Sequence, residues 1–135
     1  MTKTGVARSG IFDMLRYHKF TYGKYWKGEY GNPDNPAEFN NLLRYSPLHN
    51  LKPGVNYPAT LLVASRKVNR VVPMHTFKFL ARLQECSTPD NPHILYFEED
   101  ADHTAATGYL EHCETNAFVL AFIFTQMHLP IKYVF

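Results

Sequence analysis

The 135 residues include seven histidines and two cysteines, the side chains best suited to moving protons or holding metal near neutral pH. A zinc site would need them in register. His112 and Cys113, with His103 or His93, supply the ligand types, but adjacent helical residues diverge by about 100° and cannot both face one ion. No Cys-x-x-Cys or His-Glu-x-x-His pattern is present either, so the spacing points away from metal, and no cofactor is expected. His103 stands in a polar stretch after an apolar run, a setting where a ring of near-neutral pKa can take up and release a proton. Arg66, Lys67 and Arg70 follow another apolar run and, by themselves, read as a solvated basic turn. Trp26, the one tryptophan, is large enough to anchor a core between loops or to line a slot.

These residues need elements to position them. Ala59-Thr60-Leu61-Leu62-Val63-Ala64 is short, apolar and partly β-branched, which predicts a central parallel strand buried on both faces. His93-Ile94-Leu95-Tyr96-Phe97 predicts a second strand. Between them Pro73 suits a first helical position, and Phe77, Leu80, Ala81 and Leu83 keep helical spacing up to Cys86. A long final helix is expected over 110–127, and its stretch Phe118-Val119-Leu120-Ala121-Phe122-Ile123-Phe124 is apolar all round, so it must be covered on every side. Upstream, Asn32-Pro33-Asp34-Asn35-Pro36 marks a turn and helix start, followed by a short amphipathic helix carrying Phe39, Leu42 and Leu43 and closed at Ser46-Pro47. Residues 1–31 keep no period and read as an irregular, aromatic-rich lining loop.

The order strand, helix, strand, helix implies an α/β fold of parallel strands joined by helical crossovers. Such folds place their chemistry at the carboxyl ends of the strands, where the loops 65–72 and 98–107 fall. With 45% hydrophobic and 15% aromatic residues the chain can bury a real core as one domain and is not disordered. Lys and Arg exceed Asp and Glu by only two, 14 against 12, and are scattered, so nucleic acid is not expected as a partner. No apolar run reaches the roughly 18 residues of a membrane span and no signal-like segment follows Met1, which predicts a soluble, cytoplasmic protein with reduced Cys86 and Cys113.

Several segments, taken in order, carry a resemblance. Ile11-Phe12-Asp13-Met14-Leu15, His18-Lys19-Phe20-Thr21, Trp26-Lys27-Gly28-Glu29-Tyr30-Gly31, Tyr45-Ser46-Pro47-Leu48-His49-Asn50, Arg70-Val71-Val72-Pro73 with His75, Lys78 and Phe79, and Ala101-Asp102-His103-Thr104 are similar in order and spacing to the prolyl oligopeptidase family. The similarity extends from about Gly5 onward. It implies the C-terminal portion of an α/β-hydrolase catalytic domain that, in the family, is capped by a β-propeller and cuts short peptides after proline with a Ser, Asp, His triad.

Carried over residue by residue, the resemblance makes His103 the general base, Trp26 the ring on which a substrate proline stacks, and Ile11, Tyr30 and Val71 the rest of that slot. Arg70 matches an arginine that hydrogen-bonds a substrate carbonyl. The family's aspartate falls at Val68, which can neither accept a hydrogen bond nor stabilise an imidazolium. Asp102 stands where the family has glycine, and no serine of these residues lies in a Gly-x-Ser-x-Gly elbow. The expectation is therefore a segment that binds proline-containing peptide but does not cleave it alone, and that pairs with the missing N-terminal half of the catalytic domain or with itself through exposed sheet. The alternative is a non-catalytic proline-peptide-binding or assembly module.

Overall fold

Each residue of the run Ala59–Ser65 except Thr60 is buried, so this strand has to be covered on both faces, and the rest of the fold is arranged to do so. The computed structural model describes residues 3–66, 70–98 and 105–130. Its elements are β1 (Thr4–Arg8), α1 (Lys27–Tyr30), α2 (Pro36–Tyr45), β2 (Ala59–Ser65), α3 (Met74–Cys86), β3 (His93–Glu98) and α4 (Ala105–Met127), with 3-10 turns at Tyr17–Lys19, Thr21–Trp26 and Pro47–His49. The three strands are all parallel in the order β1-β2-β3, with Val6 beside Leu61 and Leu61 beside Ile94.

Strand alternation divides the core between the two long helices. Ala59, Leu61 and Val63 pack with Phe122 of α4, and the rings of Tyr96 and Phe118 lie 4.7 Å apart on the same side. Ala64 and its register partner Phe97 face the other way, where Phe77 of α3 sits 5.4 Å from Phe97. Opposite faces are thus covered by α3 and α4. Each fully buried aliphatic side chain in these layers stabilises by roughly 1.5–3 kcal/mol. Polar pins fix α4 along the sheet: Arg8 Nη2 donates to Asn116 Oδ1 at 2.6 Å, and Thr115 Oγ1 donates to Glu98 Oε1 at 2.5 Å.

The central strand, the second strand, the helix after Pro73 and the amphipathic helix closed at Ser46 are found where the sequence predicts them. At the start of α2, Asn35 Oδ1 accepts the Ala37 N–H at 3.1 Å, while Glu38 accepts from Asn35 Nδ2 and from the Asn32 N–H, each at 2.6 Å. The Asn35 cap satisfies one N–H that the helix itself leaves open, and Glu38 holds the Asn35 amide and the turn before it in place.

Two expectations need correction. Residues 4–8 are a strand, not irregular loop: Thr4-Gly5-Val6-Ala7-Arg8 has too little apolar alternation to announce itself, and it is the open edge of β2 that orders it. The final helix begins at Ala105 rather than at 110, because helical backbone continues N-terminally through alanine-rich residues that apolar periodicity does not report.

Gly23, buried in the turn Thr21–Trp26, donates its N–H to the Phe20 carbonyl at 2.8 Å, and a Cβ there would run into the Tyr17 carbonyl oxygen. Gly23→Ala is expected to lower unfolding free energy by about 1–3 kcal/mol, since only a backbone shift relieves the clash. Urea unfolding followed by far-UV circular dichroism checks it.

Candidate functional site

Parallel strands bring all their carboxyl ends to one edge, and the segments leaving β1 and β2 there enclose a cavity of about 620 Å³. Ser9 extends the β1 ladder by donating its N–H to the Val63 carbonyl at 2.9 Å, with φ at 47°, and this turn throws the chain out over the edge. Ile11 and Met14 follow. After β2, Arg66 donates its N–H to the Glu98 carbonyl at 2.9 Å and Arg70 and Val71 return to the cavity wall. Trp26, Glu29, Tyr30 and Tyr45 complete the lining.

The floor is held by hydrogen bonds from elements distant in sequence. Ser46 is fully buried; its Oγ accepts the Met14 N–H at 3.1 Å and lies 2.8 Å from His49 Nδ1, while the Leu48 N–H donates to the Phe12 carbonyl at 2.9 Å. Phe12 stacks on Phe79 of α3 with centroids 4.2 Å apart. Met14, Tyr17 and Leu42 form a small core against which Ile11, Leu15 and Trp26 pack. Trp26 therefore serves as both core anchor and slot wall.

Aromatic edges set the slot's shape. Trp26 and Tyr30 meet edge to face at 6.4 Å and 80°, and Tyr30 meets Tyr17 at 5.7 Å and 89°. Tyr17 donates its hydroxyl to the Gly31 carbonyl at 2.5 Å, and burial, with Tyr45, Tyr30 and Glu38 nearby, pushes its pKa up to about 12, so it remains a neutral donor. Tyr45 donates to the Tyr30 carbonyl at 3.3 Å. Thr21 Oγ1 donates to the Arg70 carbonyl at 3.1 Å, tying the turn before Trp26 to the loop after β2. The arrangement sets flat rings, one exposed guanidinium, Arg70, and one exposed carboxylate, Glu29, around a single space.

Of the residues singled out by sequence, Ile11, Trp26, Tyr30, Arg70 and Val71 all line this one cavity. His103, Val68, Asp102 and Lys67 lie outside the described residues. Ser9, Met14, Glu29 and Tyr45 were not anticipated; Trp26, Glu29 and Tyr30 stand at i, i+3 and i+4, a helical spacing that could have flagged Glu29. The histidines weighed as metal ligands are dispersed: His93 Nε2 lies 2.7 Å from Ser87 Oγ, and His112 and Cys113 are exposed on α4. Among the described residues no three His, Cys, Asp or Glu side chains gather around one point.

The sequence model of the prolyl oligopeptidase family matches residues 3–129. The chain belongs to the prolyl oligopeptidase family. A prolyl endopeptidase from Elizabethkingia miricola is 39% identical over 128 residues, covering 94% of this chain and 18% of that protein. The dual function macrocyclase-peptidase POPB of Galerina marginata is 46% identical over 95 residues, 70% of this chain and 13% of the other. A solved structure of prolyl oligopeptidase B from Galerina marginata, bound to a 35mer hydrolysis and macrocyclization substrate, matches with TM-score 0.88 at 34% identity, over 96% of this chain and 18% of that one. The fold is thus a part of the α/β-hydrolase catalytic domain of these peptidases, and the chain spans about 18% of the length of such relatives.

Removing the Ser46 hydroxyl leaves the buried Met14 N–H without its acceptor. Ser46→Ala is expected to cost about 1–3 kcal/mol in urea unfolding and to shift Trp26 emission to the red, because Met14 is part of the core on which Trp26 rests.

Proposed function

We propose that these residues form the C-terminal part of a serine-type oligopeptidase catalytic domain that cuts short peptides after proline, and that the cavity is the slot for the proline ring. The observation that carries this reading is the convergence of Ile11, Trp26, Tyr30, Arg70 and Val71, from three separate segments, on one space at the carboxyl edge of the sheet. A flat indole beside an edge-on phenol rewards a rigid ring by about 0.5–1.5 kcal/mol beyond its buried area. Arg70 supplies a fixed, permanently charged fork for a substrate carbonyl.

His103 is the proton carrier in this reading, taking the proton from a serine hydroxyl and returning it to the leaving amine. Val68 cannot perform the part of the carboxylate that orients such a ring, and none of the serines in these residues stands in an elbow motif. A polypeptide of these residues alone is therefore proposed to bind but not to hydrolyse. It would work with the remainder of a family-length catalytic domain, which the exposed Leu110, Leu120 and Met127 of α4 would help to meet, or associate with itself. A cytoplasmic place of action accords with cysteines on separate elements, Cys86 buried on α3 and Cys113 exposed on α4. The cavity lined by Ile11, Trp26, Tyr30 and Val71, with valine rather than aspartate at position 68 of the sequence, favours as a second reading a proline-peptide-binding module without chemistry.

A blocked proline peptide at millimolar concentration is expected to change Trp26 fluorescence without being cleaved. An unchanged spectrum from folded protein would leave Trp26 a structural residue only, and proline-specific cleavage blocked by a serine-directed phosphonate would refute inactivity. When the chain is combined with a family catalytic segment carrying the serine elbow, Val68→Asp is expected to raise activity strongly, since removing that carboxylate from a triad costs roughly 10⁴ in rate. Rescue by Asp102→Gly instead would place the lesion in the residues next to His103.

A further inference from the structure

One residue, His75, joins the two segments that wall the cavity, by its ring on one side and its backbone on the other. Ile11 and Met14 come from the segment after β1, Arg70 and Val71 from the segment after β2. His75, 2% exposed in the first turn of α3, donates its backbone N–H to the Val72 carbonyl at 3.2 Å, and its ring accepts the Asp13 N–H on Nδ1 at 3.2 Å. An acceptor at Nδ1 requires a neutral ring with its proton on Nε2.

The surroundings oppose a second proton. Asp13 is fully buried, its Oδ1 accepting the Leu15 N–H at 3.2 Å, and its Oδ2 receives no hydrogen bond but lies 3.7 Å from Lys78 Nζ and 3.8 Å from Arg16 Nη1. Phe20 meets the His75 ring edge-on at 6.0 Å. A proton on Nδ1 would set donor against donor at the Asp13 N–H and add a third positive charge beside one carboxylate. The segment bearing Ile11 and Met14 would have to give way. Burial holds the ring below the ordinary histidine range, with Asp13 working against that shift and Lys78 adding to it.

We propose that neutral His75 is the positioning residue of the slot, keeping its two walls in register, and that protonation of the ring loosens the slot and releases a bound proline peptide. This rests on the slot reading given above. It adds a residue that touches no substrate yet sets where Ile11, Met14 and Val71 stand.

The test is the pH profile of N-acetyl-alanyl-prolinamide binding to the full chain, read from Trp26 emission, beside an NMR titration of the His75 ring. Affinity is expected to fall about tenfold or more as the ring protonates, the usual consequence of losing one buried hydrogen bond. His75→Asn, whose Oδ1 stands where Nδ1 does and can accept the Asp13 N–H but cannot titrate, should keep the alkaline affinity and lose the pH dependence. Lys78→Met, which removes a cation that depresses the ring, should move the midpoint upward and serves if His75→Asn does not fold. Acid-induced loss that survives His75→Asn, a midpoint unmoved by Lys78→Met, or affinity that stays flat while the ring protonates overturns the proposal. If the peptide binds at no pH, the slot reading fails by itself; the coupling is then decided by the ligand-free protein, where Trp26 emission should follow the His75 titration and a response blind to it overturns the proposal.

Discussion

Phe12, Asp13 and Met14 are buried but belong to no helix or strand, so the backbone N–H groups of this turn need acceptors that no regular ladder supplies. The Met14 N–H finds the Ser46 hydroxyl at the end of α2, the Asp13 N–H finds the His75 ring at the start of α3, and the Leu15 N–H finds the carboxylate of Asp13 itself. Because these acceptors lie 32 and 62 residues away in the first two cases, satisfying them closes the loop after β1 onto both helices at once. The cavity is what remains between the satisfied segments. A polar group left unpaired there would cost about 1–3 kcal/mol, comparable to burying one aliphatic side chain, so the geometry of the slot and the stability of this half of the fold are not separable.

The sheet contributes differently. It supplies no side chain to the slot's aromatic wall, but its parallel ladders place the exits of β1 and β2 side by side, which is why residues as far apart as Ile11 and Val71 share one cavity. Rigidity comes from β2, covered on both faces by α3 and α4. On α4, Tyr109, Leu110, Leu120 and Met127 remain exposed, and the matched family relatives are several times longer than this chain. Apolar surface of that kind is ordinarily met by protein.

Family membership and the proposed loss of chemistry rest on different residues. Ile11, Trp26, Tyr30, Arg70 and Val71 line one cavity, whereas the proposal of inactivity rests on Val68, a side chain that cannot supply the carboxylate on which a histidine-serine pair relies for tautomer and orientation. Binding depends on shape and apolar area, which survive single substitutions; proton transfer depends on a specific acceptor at one atom, which does not.

The sequence by itself determined the elements whose burial is continuous or periodic. The run at 59–64 reads as a doubly covered strand, Pro73 to Cys86 as a helix, and Asn32 to Pro36 as a turn and helix start, because each pattern is local and strong. It also determined, through motif order, which residues to suspect around the slot. Tertiary structure alone decided the rest. β1 exists because β2 offers an edge, since Thr4-Gly5-Val6-Ala7-Arg8 has little intrinsic preference of its own. Ser9, Met14 and Tyr45 join the cavity, and His75 reaches Asp13, through contacts between segments tens of residues apart. No local period encodes such contacts, because they arise only once buried donors have been paired in three dimensions.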